Sequence, residues 1–91
     1  MRKISDREIA ITNRFFEALD ILKARRVIHG YQDFIERYGL NQPNFSVLNK
    51  NREIRGVKTV YLAYLVEDYG VSAEWLLLGR GEMFTQTPSR T

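Results

Sequence analysis

The chain has 91 residues, 44% hydrophobic and 27% charged, with no cysteine and a formal charge of +3. This suffices for one domain with a small core and excludes disulfide staples and thiolate metal sites. The opening MRKISDRE leads into no apolar run long enough for a signal peptide or membrane span, so a soluble, cytoplasmic protein is expected.

Charge is unevenly spread. Residues 1–58 carry twelve Lys and Arg against seven Asp and Glu, whereas residues 59–91 carry two against four. A basic part and a mildly acidic part suit a protein that turns one face to a polyanion, although ordinary surface charge gives the same pattern.

The first helix is predicted from its start. Ser5 and Glu8 have the spacing of a capping box, and Ile4 and Ile9 flank it as a hydrophobic staple. Ile11, Phe15, Leu19 and Leu22 then recur at helical spacing. Lys23, Arg25 and Arg26 gather where a helix would end; they suit the helix dipole and are equally candidates for phosphate contact. The pattern breaks at Ile28-His29-Gly30. His29 is the only histidine, with no cysteine or second histidine to share a metal, and is taken as a loop residue.

A second helix is expected over 31–38, with Phe34, Ile35 and Tyr38 inward and Gln32, Asp33, Glu36 and Arg37 outward. Gly39 then supplies a tight turn, because glycine enters the left-handed region without the steric cost of a Cβ. The third helix is capped by Asn41, with Pro43 in its first turn, or by Gln42, with Pro43 as its first residue. Only Phe45 and Leu48 give it an apolar face, leaving Gln42, Asn44, Ser46, Val47, Asn49 and Lys50 exposed. The connection NKNREIRGVK, residues 49–58, is basic, with Ile54 returning to the core.

The fourth helix shows a stripe of Leu62, Leu65, Val66 and Tyr69 and stops at Gly70. Ser72 caps the fifth, Val71 and Leu76 form its staple, and Gly79 ends it. No stretch alternates as a strand. The expected fold is all-α, a compact bundle of five helices over residues 1–84, followed by a disordered polar tail over residues 85–91.

An enzyme is not expected. The serines have no base in a recognisable motif, the carboxylates stand singly, and no phosphate loop or metal-ligand spacing occurs, so no cofactor or small-molecule substrate is implied. Phe15, Phe34, Tyr38, Phe45 and Tyr69 fall on core stripes rather than on a base-stacking platform, while Tyr31 can offer its hydroxyl to a phosphate. The amides of the third helix suit duplex DNA, because Gln and Asn match the donor and acceptor of adenine in the major groove. Lys50, Arg52, Arg55 and Lys58 follow at once, where a sugar-phosphate backbone would pass. The competing reading is a solvated polar helix in a protein-interaction module.

Residues 13–84 resemble the phage-repressor-like (Cro/repressor, XRE-type) helix-turn-helix family. The resemblance runs through Phe34 and Ile35 before the turn, Gly39 within it, and Phe45 and Leu48 after it. The ending YGVSAEWLLLGRGEMF is similar to the closing helix of phage repressor domains. It implies a lambda-repressor-like five-helix domain that binds a palindromic double-stranded DNA site as a homodimer and acts as a transcriptional repressor or regulator.

By position, the resemblance carries base contacts to Gln42, Pro43 and Val47 and a backbone contact to Lys50. The chain departs from the family pattern where Pro43 and Val47 replace polar residues, and where Ile35 replaces a small residue at the helix crossing. Gln42 is therefore the expected main base reader and Asn44 the second. Ser46 can add a polar contact and Val47 can pack on a thymine methyl. Tyr31, Asn49, Lys50, Arg52, Arg55 and Lys58 are the expected phosphate contacts. Trp75, Leu78, Met83 and Phe84, with Leu77, are candidates for the dimer interface, for a partner surface, or for completing the core. The rival function is a DNA-binding antitoxin or protein-interaction module on the same fold.

Overall fold

Ser5 and Glu8 exchange the two hydrogen bonds of a capping box, and from that start the chain runs as helix α1, Asp6–Ala24. The computed structural model describes residues 4–85, which contain four further helices: α2 (Tyr31–Arg37), α3 (Gln42–Lys50), α4 (Thr59–Tyr69) and α5 (Ala73–Leu78). The protein is an all-α bundle of five helices, as the periodicity predicts. The one β-type pairing among the described residues is an isolated bridge between Val71 and Phe84. No helix among them is long and apolar enough to cross a membrane.

Aromatic rings form the centre of the bundle. Phe15, Phe16, Phe34 and Phe45 are each at most 2% exposed, and Tyr61 is also buried. Phe34 has ring neighbours from every other long element: Phe15 of α1 at 5.7 Å, Phe45 of α3 at 6.2 Å, and Tyr61 and Tyr64 of α4 at 6.4 and 6.1 Å. Most of these pairs are edge-to-face, the arrangement the ring quadrupole favours. Leu19, Leu22, Leu65, Val71 and Leu76 fill the remaining volume.

Helix α1 ends among the cations that gather at its close. The break falls at Arg25 and Arg26, where Arg26 adopts φ +64° and the Val27 N–H donates to the Leu22 carbonyl. That six-residue closure satisfies a terminal helix carbonyl, with arginine where glycine is usual. Ile28 is then buried, so the segment after α1 belongs to the core.

Helix α4 differs from expectation in the face it buries. Leu65 is fully buried as expected, but Tyr61 is buried beside it, whereas Leu62, Val66 and Tyr69 are half-buried. The sequence TVYLAYLVEDY is apolar nearly all round, so its period does not select one face. Packing selects it, through Tyr61 meeting Phe15 and Phe45.

Thr12 ties the basic connection after α3 to α1. It is fully buried, donates its hydroxyl to the Glu8 carbonyl (3.1 Å) and accepts from the Val57 N–H (3.2 Å). Ile54 in the same connection is half-buried. Thr12→Val keeps the shape and removes the acceptor, leaving the Val57 N–H without its partner. A loss of about 1–3 kcal/mol in urea unfolding is expected, largely spared in Thr12→Ser.

Arg14 performs a similar service for α5. Its Nε donates to the Leu76 carbonyl (2.7 Å) and its Nη2 to the Leu77 carbonyl (3.0 Å), placing a cation at that helix's carboxyl end. The chain beyond α5 folds back, with the Ser72 N–H donating to the Met83 carbonyl and the Thr85 N–H to the Gly70 carbonyl. Thr85 is thus tied to the domain rather than being the first residue of a tail. The rest of the expected tail, residues 86–91, lies outside the described residues.

Candidate nucleic-acid interface

The hairpin of α2 and α3 is built from local signals. Gly30 caps α2 without a side chain. Asp33 compensates from within the helix by accepting the His29 N–H (2.6 Å) and meeting the His29 ring Nδ1 (2.9 Å). These bonds hold the Asp33 carboxyl below its usual pKa. His29 is a loop residue paired to this cap. Gly39 takes φ +62° in the turn, and the Leu40 N–H donates to the Ile35 carbonyl. Asn41 is the cap of α3: its side chain accepts the Asn44 N–H at 2.9 Å, with Pro43 in the first turn. Ile35 is accommodated in the core at 6% exposure.

Phe45 and Leu48 anchor α3, and everything opposite them faces outward. At about 100° per residue, Pro43, Val47 and Lys50 form the outermost ridge of the helix. Gln42 and Asn44 are exposed on opposite flanks. Ser46 is half-buried and faces α2, in a cleft it shares with Gln42, Gln32 and Asn49. The four residues expected to read bases therefore do not share one line. Among the described residues, none hydrogen-bonds the side-chain amides of Gln42 or Asn44.

The expected phosphate contacts divide into two groups. Lys50, Arg55 and Lys58 are exposed, and no described carboxylate pairs with them. Arg55 and Lys58 line a concavity of about 350 Å³ with Asn44, Leu48 and Tyr61, beside the carboxyl half of α3. The other three are engaged inside the fold. Arg52 lies 4.3 Å over the Phe16 ring and donates to the Asn49 carbonyl (3.1 Å) and to the Asn13 side-chain oxygen (3.1 Å). The Asn49 side-chain oxygen is itself an acceptor for Arg52. Tyr31 donates its hydroxyl to Asp20 at 2.6 Å and packs on Phe16 and Phe45. These three brace the hairpin against α1.

Asn13, which holds Arg52 from 39 positions away, carries no signal in the sequence that marks it for this role. A second brace joins α2 to α4. Tyr38 stacks on Tyr64 at 3.7 Å and donates its hydroxyl to Asp68, while Arg37 reaches the Tyr69 hydroxyl and the Asp68 carboxylate.

Burial, followed by the hydrogen bond to Asp20, pushes the Tyr31 hydroxyl up to about 12. Burial and the bond to Asp68 push Tyr38 up as well. In the unfolded chain both ionise near 10. Their contribution is therefore intact below pH 10 and is lost as the pH rises above it, through about 12 for Tyr31 and higher still for Tyr38. Urea midpoints are expected to fall steeply as the pH rises from 10 to about 12, and less steeply when Tyr31 and Tyr38 are both replaced by Phe.

The candidate dimer residues differ in their exposure. Leu78 is 58% exposed, Trp75 and Met83 are half-buried, and the Phe84 ring is covered by the Arg25 guanidinium at 4.5 Å. An apolar surface lies between α4 and α5. There a groove of about 260 Å³ is lined by Leu62, Ala63, Val66, Ala73 and Leu77, with Thr59 and Leu76. Periodicity alone assigns Leu62 and Val66 to the core, which conceals this groove.

Compared with known protein families, with curated proteins and with solved structures, the chain gives no match.

Proposed function

We propose that the protein is a sequence-specific DNA-binding regulator of the phage-repressor-like helix-turn-helix class, with α3 in the major groove of duplex DNA. The supporting observation is the chemistry around α3. A helix anchored by only two core side chains presents amides and no acid, and Lys50, Arg55 and Lys58, unpaired among the described residues, lie beside it. Phosphate contacts position such a helix and base-edge contacts specify its site. Lys50, Arg55 and Lys58 take the backbone role, and Gln42 and Asn44 reach base edges on either flank of the helix. Tyr31, Asn49 and Arg52 set the angle at which α3 is presented. The protein acts as a homodimer on a palindromic site, repressing or otherwise regulating transcription.

The apolar groove between α4 and α5 favours a second reading. A surface of this kind suits a protein partner, as in an antitoxin that also binds DNA. Selection of bound sequences from a random duplex pool separates the readings. An inverted repeat with half-sites about 34 Å apart supports the dimeric regulator. Binding with steep salt dependence and no preferred site leaves only non-specific attraction. No binding at all, from a protein that light scattering finds monomeric, removes the proposal.

A further inference from the structure

We infer that α3 selects its site largely through the 5-methyl groups of pyrimidines, with Val47 as the residue that reads them. This rests on the DNA-binding reading above and specifies what the helix recognises. The exposed ridge of α3 runs through Pro43 and Val47 before it reaches Lys50. Neither Pro43 nor Val47 has a side-chain donor or acceptor, so the part of the helix deepest in a groove cannot hydrogen-bond a base edge. The polar candidates stand aside from that line. Ser46 is half-buried against α2, Gln42 lies on the α2 flank, and Asn44 faces the concavity that holds Arg55 and Lys58.

Val47 is 37% exposed on a helix whose opposite face, Phe45 and Leu48, is locked in the core. Its branched side chain is stiff at χ1, so it offers a fixed apolar surface. In the major groove the pyrimidine 5-methyl is the one apolar group among the base edges, and it distinguishes thymine from cytosine and from uracil. Packing Val47 on that methyl removes both from water, and a buried group of this size is worth roughly fourfold in affinity. A hydrogen-bonding ridge would discriminate by donor and acceptor pattern instead, and would be indifferent to the methyl. The ligand class is thus duplex DNA carrying a 5-methylpyrimidine in the half-site, whether thymine or 5-methylcytosine.

The test uses the duplex recovered from the random pool, with each thymine of a half-site replaced in turn by uracil. The wild-type protein is expected to lose roughly fourfold in affinity at one position or two adjacent ones. At the same position, 5-methylcytosine is expected to be accepted better than cytosine. Val47→Ser, a surface change of similar helix propensity, should bind thymine and uracil duplexes equally while keeping its circular dichroism spectrum. Specific binding that ignores the thymine-to-uracil exchange overturns this inference and leaves the DNA-binding reading standing. A methyl preference that persists in Val47→Ser overturns the role of Val47. Failure to recover any preferred duplex removes the DNA-binding reading itself, and this inference with it.

Discussion

Phe34→Ala is expected to remove about 3–5 kcal/mol of stability, the range for deleting a fully buried phenylalanine ring. A chain of this size has about 5–14 kcal/mol in total, so much of the population would be unfolded or close to it. The reason lies in what Phe34 touches. It is completely buried and meets rings of α1, α3 and α4, so the cavity left behind borders every helix that positions the hairpin. The surrounding rings cannot close that space without giving up their own edge-to-face packing, and incomplete collapse raises the cost of such a substitution. Phe34→Leu keeps more of the volume and is expected to lose distinctly less. Val27→Ala, at a site 55% exposed, should stay within about 0.5 kcal/mol of wild type. Urea unfolding followed by tyrosine and tryptophan fluorescence measures all three. Equal losses for Phe34→Ala and Val27→Ala would contradict the central place given to this ring.

The second large effect concerns the cations beside α3. Replacing Lys50, Arg55 and Lys58 together by alanine is expected to weaken DNA binding to all sequences alike. The slope of log K against log salt should fall by about three per subunit, or about five to six for the bound homodimer, close to one unit for each phosphate that is no longer neutralised. All three side chains are exposed and unpaired within the described residues, so their removal leaves folding near wild type. Arg52 supplies the contrast. Although it sits in the same basic run, its guanidinium covers Phe16 and bonds Asn13 and Asn49. Arg52→Ala is therefore expected to lower the unfolding midpoint while changing the salt slope little. Titration by fluorescence anisotropy at several salt concentrations distinguishes the two outcomes. A slope unchanged in the triple variant would show that a different surface meets the phosphates.

Much of this protein is determined by residues within four positions of one another. The capping box of Ser5 and Glu8, the Asn41 cap, the turn at Gly39, and the cap and stop of α5 at Ser72 and Gly79 are all legible in the sequence. Each depends on hydrogen bonds or backbone angles inside one turn, which sequence spacing encodes directly. The five-helix architecture and the exposure of Gln42, Asn44, Val47 and Lys50 follow from the same local rules.

Only the tertiary structure decided which polar and charged groups remain available. Tyr31 and Arg52 look like surface groups from their neighbours in sequence, yet Asp20, Asn13 and Phe16 engage them from α1. Packing also turned Tyr61 of α4 inward beside Leu65 and left Leu62 and Val66 lining a groove, because a helix apolar on nearly every side carries no period to choose between faces. The hairpin itself came from the sequence. The ridge it presents, and the cations free to act beside it, came from how α1 and α4 pack behind it, where interactions join residues tens of positions apart.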